Sequence, residues 1–279
     1  MPTAVCDGIE TRYEIRGDGP PLLLVSPGGF NGRLENWWRF GIYERLHLVD
    51  TLQERFSCIV FDKRESGESG GRIERIAWDD YARQAVGLLD ELGIERAHLM
   101  GGCIGCSIVL HCEPARVRSM VLYSPAGGAQ YRKTQLGRFA EHAAFVADVG
   151  LDGVVEHVRA TDRNFAQDPR VGPWVSVLRR DDAFAAEYAA QDPDAYRVLV
   201  DDMAHTLFDL DTVPGAPAEL LERLDGPALV VPGNDESHAT SAALHLAEGL
   251  PHAEYWDVMP DGQTSDTAPR RVLEFLSEQ

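Results

Sequence analysis

A chain of 279 residues with 44% hydrophobic and 25% charged residues has the composition of a globular protein, which excludes a disordered or fibrous one. Its 45 acidic against 26 basic residues leave a formal charge of −19, and the basic residues are scattered arginines apart from Lys63 and Lys133, so nucleic acid and membrane surfaces are excluded as expected partners. No stretch approaches the ~18 apolar residues of a membrane span, and the N-terminus has no secretory apolar run; with five cysteines, an odd number in a chain too large to need staples, this predicts free thiols and a cytoplasmic location.

In chain order, Cys6-Asp7-Gly8 between Thr3–Val5 and Ile9–Arg16 predicts a hairpin turn. Pro21–Val25 is an apolar run too short for a helix and predicts a strand buried on both faces, ended by Ser26-Pro27-Gly28-Gly29. The strand Cys58–Phe61 leads to a polar loop from Asp62 to Gly71 and an amphipathic helix over Tyr81–Leu92. Ala97–Met100 is a strand, Gly101-Gly102 a turn, Cys103 to about Cys112 a helix, and Val117–Tyr123 a further strand. From Pro125 to Pro217 strand signals stop, and several helices are expected, broken at Gly150, Pro169, Gly172-Pro173 and Pro193. Strand character returns at Ala228–Val231, then a helix near Thr240–Glu248, a strand Ala253–Met259 and a helix Ala268–Ser277. The alternation predicts an α/β fold: a mostly parallel central sheet flanked by helices, with residues 1–124 and 218–279 forming the core and 125–217 an inserted helical cap.

In such a sheet the site lies beyond the carboxyl ends of the strands. There, Gly101-Gly102-Cys103-Ile104-Gly105 follows a strand and opens a helix, which matches the strained elbow that presents a nucleophile, here with Cys in place of Ser. Side chains at 101 and 105 would collide with the neighbouring strand and helix, and a helix N-terminus favours a thiolate. Cys103 and Cys106 also spell C-x-x-C, but with no second pair and no ligand-spaced His a metal or redox role is disfavoured, and no cofactor is expected. Cys106 is read as a small buried helix residue.

With the elbow, Ser26-Pro27-Gly28-Gly29-Phe30 and Asp62-Lys63-Arg64-Glu65-Ser66-Gly67-Glu68-Ser69, the chain resembles the α/β-hydrolase fold superfamily. The resemblance implies an oxyanion hole formed by backbone N–H groups of Ile104 and of Gly29 or Phe30, and a pocket shaped by the cap. It also implies an acid after the strand Ala228–Val231, where Gly233-Asn234-Asp235-Glu236 offers Glu236 in register and Asp235 one residue early. The base expected after the last strand is missing: the chain reads Met259-Pro260-Asp261-Gly262-Gln263-Thr264, and no His follows His252. The replacement is His238, in the same loop as the acids; the arrangement resembles a branch of the superfamily with Cys-Ile-Gly at the elbow and acid and His close together. The other histidines are read as packing or surface residues, Arg64 and Ser66 as structural. Gln263, and Trp37 after the first loop, are candidates to face the substrate.

The leading expectation is an enzyme in which Cys103 attacks the acyl carbon of an ester, lactone or thioester, His238 moves protons, and Glu236 or Asp235 orients the imidazole. The resulting thioacyl enzyme could pass its acyl group to water, as in a thioesterase, or to another acceptor by acyl transfer or ring formation, with a small acyl molecule as partner. A lyase, isomerase or C–C bond cleaving enzyme that uses the oxyanion hole without acylation, and a non-catalytic ligand-binding protein, are the alternatives.

Overall fold

The computed structural model describes residues 2–279. Eight strands, β1 (Thr3–Cys6), β2 (Ile9–Arg16), β3 (Pro21–Val25), β4 (Ser57–Phe61), β5 (Ala97–Gly102), β6 (Val117–Tyr123), β7 (Ala228–Val231) and β8 (Ala253–Tyr255), form one sheet in the order β1-β2-β4-β3-β5-β6-β7-β8. β1 pairs antiparallel with β2 and β2 with β4; every other pairing is parallel. The Asp7-Gly8 turn closes the first hairpin with both residues at positive φ, the geometry that a two-residue connection requires.

The central parallel strands are predominantly apolar because both of their faces are covered. Leu23 and Val25 of β3 join the core beneath the helices Trp78–Glu91 and Gly105–Leu110, whereas Leu22 and Leu24 join a second core with Val49, Leu52, Val272 and Phe275. Three short helices, Asn36–Arg39, Gly41–Leu46 and Leu48–Leu52, connect β3 to β4 in a stretch where sequence reading named no element.

The chain leaves β3 to build β4 on one side and then crosses to build β5 on the other. The connections therefore part at the carboxyl ends of β3 and β5, the place where ligands settle in open α/β sheets. Between β6 and β7 lie the helices Ala129–Ala160, Val175–Arg180, Asp182–Ala189 and Pro193–Leu207. The expected break at Gly150 is present as a kink with φ 69°. Pro193 opens a helix rather than ending one, with the Asp192 side chain accepting the Ala195 N–H at 2.8 Å.

Two strand ends differ from expectation: β5 runs on through Gly101 and Gly102, which pair with Leu122 and Tyr123 where a turn was expected, and β8 stops at Tyr255 instead of Met259. Its neighbour β7 runs directly into Pro232, which has no N–H with which to continue the ladder.

The elbow depends on two close approaches. A Cβ on Gly101 would lie 2.6 Å from the backbone of Gly105 and Cys106, and one on Gly105 would lie 2.4 Å from the Val25 carbonyl oxygen. Gly105→Ala is therefore expected to lower stability by about 1–3 kcal/mol, because backbone rather than a flexible side chain must yield; a reduced urea midpoint at unchanged slope is the measurement, and an unchanged midpoint would contradict the packing described.

Candidate active site

Cys103 occupies the turn between β5 and the helix Gly105–Leu110 with φ 56°, a left-handed conformation costly for a residue with a Cβ. The turn is fixed by hydrogen bonds from Cys103 N–H to the Tyr123 carbonyl (3.1 Å) and from Ala126 N–H to the Cys103 carbonyl (3.2 Å). Cys106 points away, its thiol directed at the Gly101 carbonyl at 3.2 Å in the core, and all five cysteines are free.

His238 lies in the loop that follows β7. A parallel bridge to Gly127, just past β6, holds the loop in place, with Gly127 N–H donating to the Ser237 carbonyl at 3.0 Å. Asp235 accepts from His238 Nδ1 at 2.8 and 2.9 Å and from the backbone N–H groups of Ser237 and His238 at 2.8 and 2.9 Å. This fixes the choice the sequence left open between two acids: Asp235 meets the imidazole, while Glu236 is exposed and points elsewhere. The other ring nitrogen, Nε2, is buried with no oxygen or nitrogen of the protein in bonding geometry. The group that acts on it is the Cys103 sulfur, which lines the same cavity.

The electrostatics follow from that pairing. Burial pushes the Cys58 and Cys112 thiols up to about 12 and Cys6 to about 11. Cys103 is as buried and feels the same upward push, yet its pKa is lowered. The charge of His238 and backbone groups at Ile104 and Gly28 outweigh the burial. For His238, burial alone acts downward; the interaction with Cys103, then that with Asp235, reverses this and pushes it up to about 9.

The backbone groups that act on the sulfur are those of Ile104 and Gly28. Gly28 sits at φ 112°, and a Cβ there would strike Asn36 Nδ2 at 2.5 Å; that amide ties the loop down by donating to the Pro27 and Asn31 carbonyls, each at 2.7 Å. Gly29 and Phe30 line the cavity beside it.

A cavity of about 200 Å³ opens over Cys103, Ile104 and His238, walled by Phe30, Trp78, Tyr131, Phe165 and Phe208 with Lys63 and Arg138 as its cations. Sequence reading named Phe30 for its backbone but missed Trp78 and the walls Tyr131, Phe165 and Phe208, which lie between β6 and β7 in a stretch that shows no motif. Lys63 carried a signal, being one of two lysines in an arginine-dominated basic set.

Two candidates for substrate contact prove to be structural. Trp37 is fully buried, its ring edge-on to Tyr43 at 5.0 Å, and it packs beneath Gly102 outside the cavity. Gln263 is also fully buried: its Oε1 accepts from Tyr123 Oη at 2.5 Å and its Nε2 donates to the Val258 and Pro232 carbonyls at 2.7 and 3.3 Å. The loop after β8 therefore carries a polar brace whose hydrogen bonds are all internal. Arg64 and Ser66 are structural as expected: Arg64 Nε donates to both oxygens of Glu65 at 3.0 Å, and Ser66 Oγ accepts from Gly32 N–H.

Among the described residues no group of three or more His, Cys, Asp or Glu side chains is arranged to hold a metal, and no helix is long and apolar enough to cross a membrane.

Comparison with known proteins agrees with this fold. The model of the α/β hydrolase fold family matches residues 20–168. The chain is 28% identical to a putative carbamate hydrolase of Azorhizobium caulinodans, over 92% of this chain and 89% of that one. It is 32% identical to the dihydrolipoyllysine-residue acetyltransferase component of the acetoin cleaving system of Cupriavidus necator, over 43% of this chain but only 31% of that protein. The crystal structure of the enol-lactonase from Burkholderia xenovorans superposes with a TM-score of 0.62 at 19% identity, covering 99% of this chain and all of the other, a likeness of fold.

Two outcomes follow. Iodoacetamide should alkylate Cys103 with an inflection below the ~8.5 of a free thiol, and His238→Ala should move it above that value, where burial leaves the other cysteines. Gln263→Ala should cost about 2–4 kcal/mol, by orphaning the Tyr123 hydroxyl and two carbonyls, while the Cys103 profile stays in place; a displaced profile would return Gln263 to the site.

Proposed function

The chain belongs to the α/β hydrolase fold family, and on that premise we propose that it is a cysteine-dependent acyl hydrolase or acyltransferase acting on an ester, lactone or thioester. The observation that carries the reading is the line of groups Asp235, His238 and Cys103: a carboxylate on Nδ1, and on the Nε2 side a thiol on a strained elbow whose pKa is lowered in spite of burial.

In this reading the Cys103 thiolate adds to the acyl carbon, and negative charge moves to the carbonyl oxygen. In this reading backbone N–H groups at Ile104 and Gly28, which act on the sulfur, also receive that oxyanion. The tetrahedral adduct collapses by breaking the bond to the leaving group, which takes the Nε2 proton of the His238 imidazolium. A thioacyl enzyme and a neutral imidazole remain. Water or an acceptor alcohol, amine or thiol then gives its proton to Nε2 as it attacks the thioester, and release of the product acid, ester, amide or thioester regenerates the thiolate and imidazolium. Asp235 keeps Nδ1 protonated and its carboxylate stabilises the imidazolium without taking the proton.

The pH dependence has a definite sign. The reactive form needs Cys103 deprotonated and His238 protonated, so kcat/KM should rise through the lowered thiol pKa and fall as pH passes about 9, where His238 loses its proton. Cys103→Ala should reduce turnover of an acyl-thioester or lactone panel by roughly 10³-fold or more, and Asp235→Asn by roughly 10²- to 10⁴-fold. Intact-protein mass spectrometry after rapid quench should show a Cys103-linked acyl adduct. Retained turnover in Cys103→Ala without an adduct would favour lyase or C–C bond cleaving chemistry on the same oxyanion hole.

A further inference from the structure

We propose that the substrate's acyl chain carries a carboxylate, received in the cavity by Lys63 with Arg138 as a second cation. The inference rests on the acyl-enzyme reading for the reacting end of the substrate and on independent observations for the other end. The first is the sign of the cavity. In a chain with 45 acidic residues, no Asp or Glu lines it, whereas Lys63 and Arg138 do. With Asp235, the Cys103–His238 pair carries one negative charge when all three are ionised, against the two positive charges of Lys63 and Arg138.

The second observation is the state of Lys63. The residue is 2% exposed, and its ammonium makes one hydrogen bond, to the Gly29 carbonyl at 2.8 Å. Among the described residues no carboxylate lies within ion-pair distance of it; the charges it feels are first that of Cys103, which is shared with His238, and then that of Glu65, which gives both oxygens to Arg64. An ammonium has three donors, so two N–H groups remain for a ligand. Burying such a charge without a counter-ion is costly, and that cost is recovered when an anion arrives. Burial lowers Lys63 to about 8, which leaves it protonated near neutral pH.

The third is that room is kept for this side chain. A Cβ on Gly32 would lie 1.9 Å from Lys63 Cε, so the lysine reaches the cavity only because residue 32 has no side chain. Arg138 enters from the helix Ala129–Ala160, with no ion pair to fix it among the described residues. Between the cations and the sulfur the walls are aromatic, which suits a short methylene chain linking a carboxylate to a reacting carbonyl. The thiolate already has His238 as its counter-ion, so Lys63 is free to serve the substrate.

The test compares two N-acetylcysteamine thioesters of the same shape, glutaryl and its terminal amide, 4-carbamoylbutanoyl. Wild type should prefer the carboxylate by about tenfold or more in kcat/KM, as expected for a buried charged hydrogen bond. Lys63→Met should collapse that ratio toward one, chiefly through KM, and Arg138→Gln should reduce it in part. An equal loss on both substrates, with the ratio kept, would assign Lys63 to the thiolate and overturn the proposal; so would a wild-type ratio near one. A second readout needs no turnover: glutarate should protect Cys103 saturably from iodoacetamide in wild type and not in Lys63→Met. If neither thioester is turned over yet protection is seen, the anion site stands and the acyl-enzyme reading fails; absence of protection overturns the anion site itself.

Discussion

A sulfur buried in protein resists ionisation, and this molecule contains both the rule and its exception. Cys6, Cys58, Cys106 and Cys112 are all raised by burial, while Cys103, equally enclosed, is lowered. One imidazole makes the difference, and much of the architecture at the carboxyl edge of the sheet serves to place it. The elbow holds the sulfur at positive φ, the Gly127 bridge holds the loop after β7, and Asp235 keeps the ring turned so that Nε2 faces the sulfur. Remove the imidazole and the helix N-terminus and nearby backbone groups must oppose burial alone.

The fold was largely legible because its signals are local. Short, largely apolar runs marked β3 through β7, Asp7-Gly8 marked the hairpin, and the glycines flanking Cys103 marked the elbow, where the structure shows the close backbone approaches. What escaped was non-local. The end of β8 depends on a proline in the neighbouring strand's extension, and the short helices after β3 are stabilised by packing under β3 and β4 rather than by a periodic pattern of their own.

The site divides along the same line. The sequence named Cys103, His238 and two acids beside it, but that Asp235 rather than Glu236 meets the imidazole depends on the turn geometry. In a turn, a carboxylate three residues before an imidazole can meet its Nδ1, whereas its neighbour points outward. Trp37 and Gln263 were placed at the cavity on the strength of the loops they occupy. Position in a loop fixes where a backbone goes, not whether a side chain turns toward ligand or core. Gln263 turned inward because Tyr123 Oη and two carbonyls were waiting there to be satisfied.

The acid and base share one turn, three residues apart, and the His238 N–H also closes back onto the Asp235 carboxylate. Their mutual geometry is thus set by a few backbone dihedrals, while the distance from imidazole to sulfur is set by how the whole loop docks beside Gly127. The two distances therefore respond to different disturbances. When the molecule warms or the loop loosens, the carboxylate and imidazole travel together as a rigid unit, and the separation that grows is the one to Cys103. Such loosening leaves the imidazole oriented by Asp235 while the thiol loses the charge that lowers its pKa, and docking of the loop beside Gly127 brings the two together again.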